Sequence, residues 1–552
     1  MHSPLPGVTA QASGHRFNST KQYNMKKKNI FNILAGLLML SVVSCQSKLE
    51  DLYLDPDGFT NPDIQGFYTN TQQQLGIFRY SYGEMFHNFN TLNPILGSGG
   101  FQNDGAPSSF SWVHDPYSDA YSKLRSIAAM QQVYNGLSEQ DKNDYEIFMW
   151  TAGAIKEYIF HQLTDVCGDV PYFKAMQGAE LNFFPPFDKQ SEIYPAMLAN
   201  LKEISTNLKG YTLNGSFIQQ QFTRNDVYFN GNITKWRVFI NSLRMRLALR
   251  LTNVMPELAK STIQEVLADD EYAKDRATSI TLVDRRPDQA MELLIFRSLS
   301  ERLTLRLFVP ANMLNLMRKT GFADDPRIPV IFQPDKDGNY TAMPTEAPDV
   351  AAIASQITTT NLAATFPSFY NRTTFERNFG MPYQIITSSE IHLLKAEAKL
   401  RWADLTITAA DEYRAAIKES IDIYYEINAL NPDNQYNGFI PASKAVKPPD
   451  ATINTFLDQK VAEFNAAAAG EKLGLIYDQR YIHYNMLKPY ELWADTRRLM
   501  KELGPRVRKS PSNVRMMERT VYPTSEELNN PVNFQAVKAS NNYTTPVWWT
   551  GR

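Results

Sequence analysis

The chain has 552 residues, of which 43% are hydrophobic, so it is long enough to bury a large core. Its 56 basic and 58 acidic side chains leave a net charge of −2, which argues against a nucleic-acid-binding protein, since such proteins carry a basic face. The two cysteines, Cys45 and Cys167, are too few for a disulfide framework or a cysteine-based metal site.

The N-terminal region carries the pattern of a lipoprotein signal. Three lysines at 26–28 precede an apolar run over 30–43, and Ser44 and Cys45 follow it. A basic segment, a short apolar segment and a small residue before the cut are the parts of a secretory signal. A transmembrane helix would need ~20 apolar residues, and the polar residues after Cys45 also disfavour a buried helix. We therefore predict a signal peptide at 25–44 and lipidation of Cys45, and we interpret 1–24 as an upstream extension that is not native.

The region that follows the lipidated cysteine is predicted to be a tether. Residues 45–60 are acidic and mixed in character, which suits an exposed, lipidated segment. No clear linker divides the rest of the chain, so 61–552 is predicted to form a single domain. Within it, Cys167 is expected to be a buried, small apolar residue.

Helical signals dominate this domain. Asn135 and Gly136 indicate the end of one helix, and Ser138 has the character of the next N-cap. A helix is then predicted over 145–163, where apolar residues are too dense for a solvent-facing helix. A further helix carries an apolar stripe with a spacing of four residues: Phe239, Leu243, Leu247 and Leu251.

The second half of the chain is also predicted to be helical. Helices are expected over 388–401, 409–424 and 452–469, and the first of these is apolar around so much of its surface that it should be sandwiched between others. Long stretches without regular periodicity separate the helices, and loops of such length are usually functional or disordered. These stretches cover 88–119, 324–377 and 504–552.

The sequence holds no recognisable catalytic or metal-binding motif, such as His-Glu-x-x-His or Gly-x-Ser-x-Gly. Residues 335–339 hint at calcium ligands, but the downstream glutamate of an EF-hand loop is missing and a hairpin turn is favoured. His161 is more simply explained by packing than by a catalytic dyad. We therefore predict no catalytic residue, no metal and no cofactor. A glycosidase pair of carboxylates is visible only in three dimensions, so a hydrolase stays an alternative.

Several motifs in a fixed order resemble the SusD/RagB family of nutrient-binding outer-membrane lipoproteins, in its SusD-like branch. No single motif is specific, but together they span nearly the whole predicted mature chain. They are LTDVCGDVPY at 163–172, NITKWRVFINSLRMRLALR at 232–250, DPR at 325–327, EIHLLKAEA at 390–398, YELWADTRR at 490–498 and a closing segment from RTVYP at 519–523 to the tryptophans at 548–549.

The physical roles of these motifs are expected to be mostly structural. Gly168 would turn the chain at a helix end, and Asp169 would cap or bond the backbone of that turn. Arg497 and Arg498 would pair with carboxylates or loop carbonyls, and Glu397 is a plausible partner for a motif arginine. The resemblance implies an all-α fold in which four tetratricopeptide-like helix pairs form a scaffold, with long loops and minor β-structure packed on one side.

The resemblance also implies a function. The chain would be a surface-exposed, lipid-anchored receptor of the outer membrane that captures an oligosaccharide, a peptide or another nutrient. It would deliver this ligand to a SusC-like TonB-dependent transporter, without catalysis and without binding nucleic acid. Two alternatives stay open, an anchored hydrolase of the same glycan pathway and a helical-repeat scaffold that binds only proteins.

The ligand-binding candidates come from two of the long loop-like stretches, because aromatic faces stack on sugars and side-chain amides bond their hydroxyls. The competing explanation for each aromatic residue is that it anchors its loop to the helical body. The aromatic candidates are Phe89, Phe101, Trp112, Tyr340, Phe369 and Tyr370, and the polar candidates are Asn88, Gln102 and Asn371.

Overall fold

Helices make up most of the described chain. The computed structural model describes residues 63–73, 115–282, 309–335, 337–343, 368–375, 378, 381–431, 444–507 and 517–552. The first half holds α1 Ile64–Gln73, α2 Pro116–Asn135, α3 Glu139–Cys167, α4 Gln190–Leu208, α5 Phe217–Asn225, α6 Ile233–Arg250, α7 Pro256–Asp269 and α8 Ala311–Met317. The second half holds α9 Ile328–Ile331, α10 Arg372–Phe375, α11 Ser388–Arg401, α12 Ala409–Leu430, α13 Asp450–Ala466, α14 Ala469–Tyr484, α15 Pro489–Leu503, α16 Thr524–Asn529 and α17 Pro531–Phe534.

Consecutive long helices pack against each other within the described residues. Four of these contacts form the helix pairs of the scaffold, α2 with α3, α6 with α7, α11 with α12, and α14 with α15, while α4 also packs on α3 and α13 on α12. Helices of different pairs also touch, since α3 contacts α6, α6 contacts α11, and α11 contacts α14. This arrangement confirms the predicted all-α class with helix pairs as its scaffold, and residues 64–552 form one compact unit.

The ends of the helices follow from local capping chemistry. Gly136 follows α2 directly, and the Ser138 hydroxyl accepts a hydrogen bond from the backbone of Asp141 at the start of α3. Gly168 ends α3 with φ of 81°, a left-handed conformation that glycine adopts without a steric cost. Its neighbour Asp169 accepts from the Gln190 amide at 2.8 Å, and so caps α4. The helix stop at Gly136, the Ser138 cap and the turn at Gly168 were predicted. Asp169 was expected to cap or bond the backbone of the Gly168 turn, and it instead caps the next long helix.

Some predicted boundaries differ from the structure. Helix α3 is longer than the predicted 145–163, and Leu251 lies in a 3₁₀ turn just beyond α6. The predicted helix over 452–469 was wrong at its C-terminal end, because Ala467 and Ala468 are extended there and separate α13 from α14. Alanine has the highest intrinsic helix propensity, so local preference favours a continuous helix through this run. The break therefore follows from tertiary packing, which overrides that preference.

Two short antiparallel sheets complete the fold among the described residues. Strand β1 Ile280–Leu282 pairs with β4 Tyr383–Ile386, and β2 Phe332–Gln333 pairs with β3 Phe369–Tyr370. The stretch 324–377, predicted to be irregular, therefore contains short regular elements. The stretch 504–552 likewise contains α16 and α17.

The C-terminal segment packs onto the end of α3. The Tyr522 hydroxyl donates to the carbonyls of Cys167 and Asp169 at 3.0 and 2.6 Å, and the Cys167 thiol lies 3.3 Å from the hydroxyl of Thr520. Cys167 is fully buried, as predicted, and burial raises the pKa of its thiol to about 12. The thiol is therefore a packing group in its reduced, uncharged form.

Candidate functional site

The predicted ligand-binding residues divide into two sets. Several candidates lie outside the described residues, as do the predicted signal, Cys45 and the whole tether: Asn88, Phe89, Phe101, Gln102 and Trp112. Tyr340, Phe369, Tyr370 and Asn371 are described, and they lie around the short β2–β3 sheet. Their roles in ligand binding stay a prediction, and the structure shows what each of these four side chains contacts.

Three of the four described candidates are buried and bonded within the protein. The Tyr370 hydroxyl donates to Oδ1 of Asn485 at 2.8 Å, and its ring packs edge-to-face on Phe332 at 5.2 Å. Phe369 is buried beside it. The side chain of Asn371 donates to the carbonyl of Pro329 at 2.9 Å and accepts from the amide of Thr374 at 3.0 Å. These contacts fasten the sheet to the helical body.

Tyr340 is the described candidate that reaches the surface, where it is half-buried. The guanidinium of Arg318 lies over its ring, 5.3 Å from the centroid, and donates to the Tyr340 carbonyl at 3.2 Å. Asp324 holds the same guanidinium at 3.1 Å. Burial raises the pKa of the Tyr340 hydroxyl, so the group is a neutral donor and acceptor at physiological pH. An oriented ring with a polar rim can stack on one face of a flat ligand.

The loop that precedes Tyr340 forms a turn, as predicted. Oδ1 of Asp335 accepts from the amides of Asp337 and Asn339 at 3.0 and 2.9 Å, and Gly338 has φ of 81°. The Asp335 carboxylate is thus used by the backbone of its own turn. Within the ranges that the structure describes, no cluster of three or more histidine, cysteine, aspartate or glutamate side chains is arranged to hold a metal ion.

A second group of functional-looking residues lies deep inside the scaffold. We call it the charge layer, and it contains five basic and five acidic side chains, all buried. They are Asp165 of α3, Arg246 and Arg250 of α6, Glu390 and Glu397 of α11, Arg480 of α14, Lys488 in the turn before α15, and Glu491, Asp495 and Arg498 of α15. The layer therefore joins helices from all four pairs.

Glu390 lies at one end of the charge layer. Its two oxygens accept from Nε and Nη2 of Arg246 at 2.6 and 3.0 Å, and Lys488 donates to the same carboxylate. Burial by itself would raise the pKa of Glu390, but the positive charges of Arg246 and Lys488 outweigh it and hold that pKa well below the usual range. Glu390 is therefore a permanent anion that ties α11 to α6 and to the start of α15.

Glu397 lies two helical turns further along α11. It receives a two-pronged bond from Arg498 at 2.6 and 2.8 Å, and Arg480 approaches one of its oxygens at 2.6 Å. Burial opposes its charge, yet Arg498 and Arg480 hold the pKa of Glu397 well below its usual range. The prediction that Glu397 partners a motif arginine is confirmed.

Arg250 connects the remaining acids. It donates to Asp495 at 2.8 Å and to Asp165 at 3.2 Å, and it also bonds Glu491. Each acid in the layer has at least one arginine or lysine partner, so the buried charges compensate each other. The sequence motifs contained eight of the ten residues, and Arg480 and Lys488 were missed because they belong to no motif.

Arg497 differs from its neighbour Arg498 because its bonds go to backbone carbonyls. It donates to the carbonyls of Asp165 and Glu518 at 2.8 Å each, and its guanidinium lies 3.5 Å from the ring centroid of Trp493 and 4.9 Å from that of Trp549. Burial lowers its pKa to about 10, so it stays charged at neutral pH. The prediction that the paired arginines bond carboxylates or carbonyls is confirmed.

The charge layer offers no catalytic carboxylate to a substrate. Its acids are buried and paired, whereas a glycosidase needs two carboxyl groups that flank an accessible bond. His161 is fully buried beside this layer, and burial lowers the pKa of its imidazole. Its Nδ1 faces the carbonyl of Tyr158 at 3.2 Å, which agrees with the predicted packing role. Among the described residues, no helix has the length and apolarity needed to span a membrane.

Comparisons with known proteins agree with this architecture. A family model described as "Starch-binding associating with outer membrane", of the SusD-like type, matches residues 108–523, while no curated protein matches the chain. A SusD homologue from Bacteroides fragilis superimposes with a TM-score of 0.65 at 17% identity, over 88% of this chain and 99% of that one. One from Bacteroides vulgatus gives 0.65 at 19% identity, over 88% and 98%.

A further solved structure carries a stated ligand class. It is a chitin-binding SusD homologue from Flavobacterium johnsoniae, which matches with a TM-score of 0.61 at 18% identity, over 88% of this chain and 98% of that one. Identities this low show the shared fold alone. The family model, in contrast, spans most of the chain and includes α2 through α15 of the paired-helix scaffold. With its four helix pairs and the charge layer that joins them, this protein belongs to the SusD-like family.

Proposed function

We propose that this protein is a surface-exposed outer-membrane lipoprotein, anchored through Cys45, that captures an oligosaccharide or another nutrient and passes it to a SusC-like TonB-dependent transporter. The match of residues 108–523 to a family described by starch binding and outer-membrane association carries the proposal. The chitin-binding relative of the same fold supports a glycan as the ligand class. Capture needs no covalent step. The side chains of the charge layer are buried and paired with each other, so they hold the helices together rather than contact a ligand.

The proposed ligand surface includes Tyr340 and the aromatic residues predicted on 88–112. Tyr340 contributes a ring that Arg318 already orients, so little conformational entropy would be lost when a sugar stacks on it. Phe369, Tyr370 and Asn371 then act as supports, because Phe369 is buried and the polar side-chain groups of Tyr370 and Asn371 are bonded inside the protein. Among the described candidates, Tyr340 is therefore the one proposed to contact the ligand, and the other three hold the sheet beside it in place.

The test is a glycan and peptide array probed with the soluble form that begins after Cys45. Tyr340→Ala should weaken binding of a hit by about three- to tenfold, the value of one aromatic stacking contact. Tyr134→Ala is the matched control, because Tyr134 is also half-buried but lies on α2. Trp112→Ala should act like Tyr340→Ala if both belong to one site, and an unchanged affinity would remove the residue concerned from that site.

Two results would favour the alternatives. Release of shorter sugars from a bound polysaccharide would establish a hydrolase. Loss of nutrient uptake on deletion of the protein, together with no measurable affinity for any free glycan or peptide, would favour a protein-binding scaffold. The anchor is tested separately, because Cys45→Ser should abolish incorporation of a radioactive fatty acid.

A further inference from the structure

Asparagine residues that are followed directly by glycine occur at four places in the sequence. The structure describes three of these pairs: Asn135 with Gly136, Asn214 with Gly215, and Asn230 with Gly231. The fourth, at 437–438, lies outside the described residues. Such a pair is prone to lose the asparagine amide, because glycine has no Cβ to hinder attack of its backbone nitrogen on the side chain before it. The attack requires a free nitrogen, so the hydrogen bonds of the glycine amides decide which pair reacts.

Two of the three glycine amides are engaged within the protein. The amide of Gly136 donates to the carbonyl of Val133 at 3.1 Å, at the end of α2. The amide of Gly231 donates to Oδ2 of the buried Asp226 at 2.8 Å. Neither nitrogen can attack the asparagine before it unless these bonds break first. The fold therefore protects both pairs.

The pair at Asn214 and Gly215 lacks this protection. Both residues are exposed in a segment without regular structure, and the Gly215 amide has no acceptor among the described residues. The Asn214 side chain, in contrast, is held at both ends. Its Oδ1 accepts from the amide of Ser216 at 2.8 Å, and its Nδ2 donates to Oδ1 of Asp144 on α3 at 3.2 Å. The attacking nitrogen is thus open, while the side chain that it would attack is fixed.

The hydrogen bond from the Ser216 amide also favours the reaction itself. When the Gly215 nitrogen gives its proton to water and bonds to Cγ of Asn214, negative charge develops on Oδ1, and a donor already aimed at that oxygen stabilises it. The bond from Cγ to Nδ2 then breaks, and the leaving nitrogen takes a proton from water and departs as ammonia. A second water opens the resulting five-membered ring at either of its carbonyls. The sum is one water consumed, one ammonia released, and aspartate or isoaspartate at 214.

The product places a carboxylate where an amide now donates. Asp144 accepts from Nδ2 of Asn214 and from the hydroxyl of Ser216, both at 3.2 Å. A carboxylate at 214 would repel Asp144 instead of bonding it. Ser216 is also the N-cap of α5, because its Oγ accepts from the amide of Gln219 at 3.3 Å. The reaction therefore acts on the attachment of the start of α5 to α3.

The rest of α5 is anchored by other contacts. Phe222 is buried, and its ring packs on Phe148 of α3 at 5.1 Å and on Tyr68 of α1 at 5.7 Å. Asn225, the last residue of α5, accepts from the hydroxyl of Thr69 at 2.9 Å. None of these contacts involves Asn214 or its neighbours. The expected effect is thus a local opening at the start of the helix, not unfolding of the protein.

We propose that Asn214 is a site of spontaneous deamidation, which releases the start of α5 from α3 as the folded protein ages. The reaction needs water as its sole co-reactant, and water does not restore the lost amide. The modified fraction therefore grows with the time since folding. This inference is independent of the proposed function, because it uses only the contacts of 211–219 with α3.

The first experiment follows the masses of the three asparagine–glycine peptides during storage of the full chain at neutral pH. Conversion of the amide to an acid adds one mass unit. We expect the peptide with Asn214 to gain mass several-fold faster than those with Asn135 and Asn230. In denaturing urea all three should react at similar rates, because none of the glycine amides is then bonded. Equal rates in the folded protein would overturn the proposed site, and so would a preference for Asn214 that persists in urea.

Hydrogen exchange of the backbone amides measures the consequence for α5. Stored protein and a fresh Asn214→Asp variant should both exchange faster at the start of α5 than fresh unsubstituted protein, with no change around Phe222. Asn143→Asp is the matched control, because Asn143 is exposed on α3 beside Asp144 and gains the same charge without loss of the Asn214 bond. Unchanged exchange in Asn214→Asp would overturn the release of α5. Equally fast exchange in Asn143→Asp would assign the effect to added charge alone and contradict the role of the lost bond.

Discussion

The charge layer and a set of exposed apolar side chains depart in opposite ways from the rule that charged residues are exposed and apolar residues buried. We call the exposed set the apolar patch, and it consists of Phe173, Leu181, Phe183, Phe184, Leu528 and Val532. In the charge layer, ten ionisable side chains are buried, whereas in the apolar patch six large apolar side chains are exposed. Every acid of the layer has a basic partner inside the protein, and the patch has no cover among the described residues. A buried charge with a partner inside the protein stabilises the architecture, whereas exposed apolar side chains that lie close together form a candidate contact surface.

The strongest test of this contrast removes one buried acid. Glu397→Ala should lower the free energy of unfolding by about 3–5 kcal/mol, because Arg480 and Arg498 would remain buried without their shared partner. Urea unfolding followed by circular dichroism measures the change. Glu502→Ala is the control, since Glu502 pairs with Arg401 near the surface and its loss should cost less than about 1 kcal/mol. Equal effects would show that the layer contributes no more than surface pairs do.

Acid should weaken the scaffold through histidines that are buried without charge. Burial lowers the pKa of His483 to about 3, and the positive charges of Lys488 and Arg327 add to this effect. In the unfolded chain the same imidazole takes up a proton near pH 6.5, whereas in the folded protein it stays neutral there. The unfolded state binds more protons between these values, and stability therefore falls as the pH falls through that window. The slope is at most about 1.4 kcal/mol per pH unit for one histidine.

His483→Gln provides the measurement for this prediction. Denaturant unfolding at several pH values between 7 and 4.5 should show a shallower loss of stability than in the unsubstituted protein. Thr387 and Ser420 bond the two ring nitrogens at 2.8 and 2.9 Å, so the variant starts from a lower stability at pH 7. Only the slope is diagnostic, and an unchanged slope would contradict the neutral state of this histidine.

The smallest expected effect concerns strain in the apolar patch. Leu181→Asn should raise the free energy of unfolding by about 0.5–1 kcal/mol, because asparagine tolerates the left-handed backbone and an exposed leucine gives up no packing. Leu528→Asn, on the exposed face of α16, should give no such gain. Thermal unfolding compares the two, and a destabilised Leu181→Asn would mean that the leucine packs on its surroundings.

The scaffold could be predicted from sequence because its signals are local. Caps such as Ser138 and the positive-φ turn at Gly168 act through the nearest backbone, so their residue types reveal them. A motif arginine was also expected as the partner of Glu397, since a buried acid needs a basic partner, and the structure identifies Arg498 in that role. Arg480 was not, because nothing near it in the chain shows that it faces the same carboxylate.

The surface could be predicted less well. Phe369 and Tyr370 were chosen for their residue type, and only the fold shows that both are buried, because exposure depends on distant contacts. The apolar patch was missed for the same reason. Phe183 and Phe184 follow the LTDVCGDVPY motif in a segment that looks like one more aromatic loop. The exposure of their rings depends on which distant residues pack on them, and that is set only in the folded chain.

The charge layer also bears on how the chain avoids misassembly. Repeated helical hairpins present similar apolar surfaces to each other. Such surfaces pack almost as well on a wrong hairpin as on the correct neighbour. An exchanged hairpin would bring Arg246 or Arg498 opposite a side chain that does not match it, at the large cost of an isolated internal ion. A layer of ten matched acidic and basic side chains would therefore specify the order in which the hairpins stack as well as the strength of that stacking.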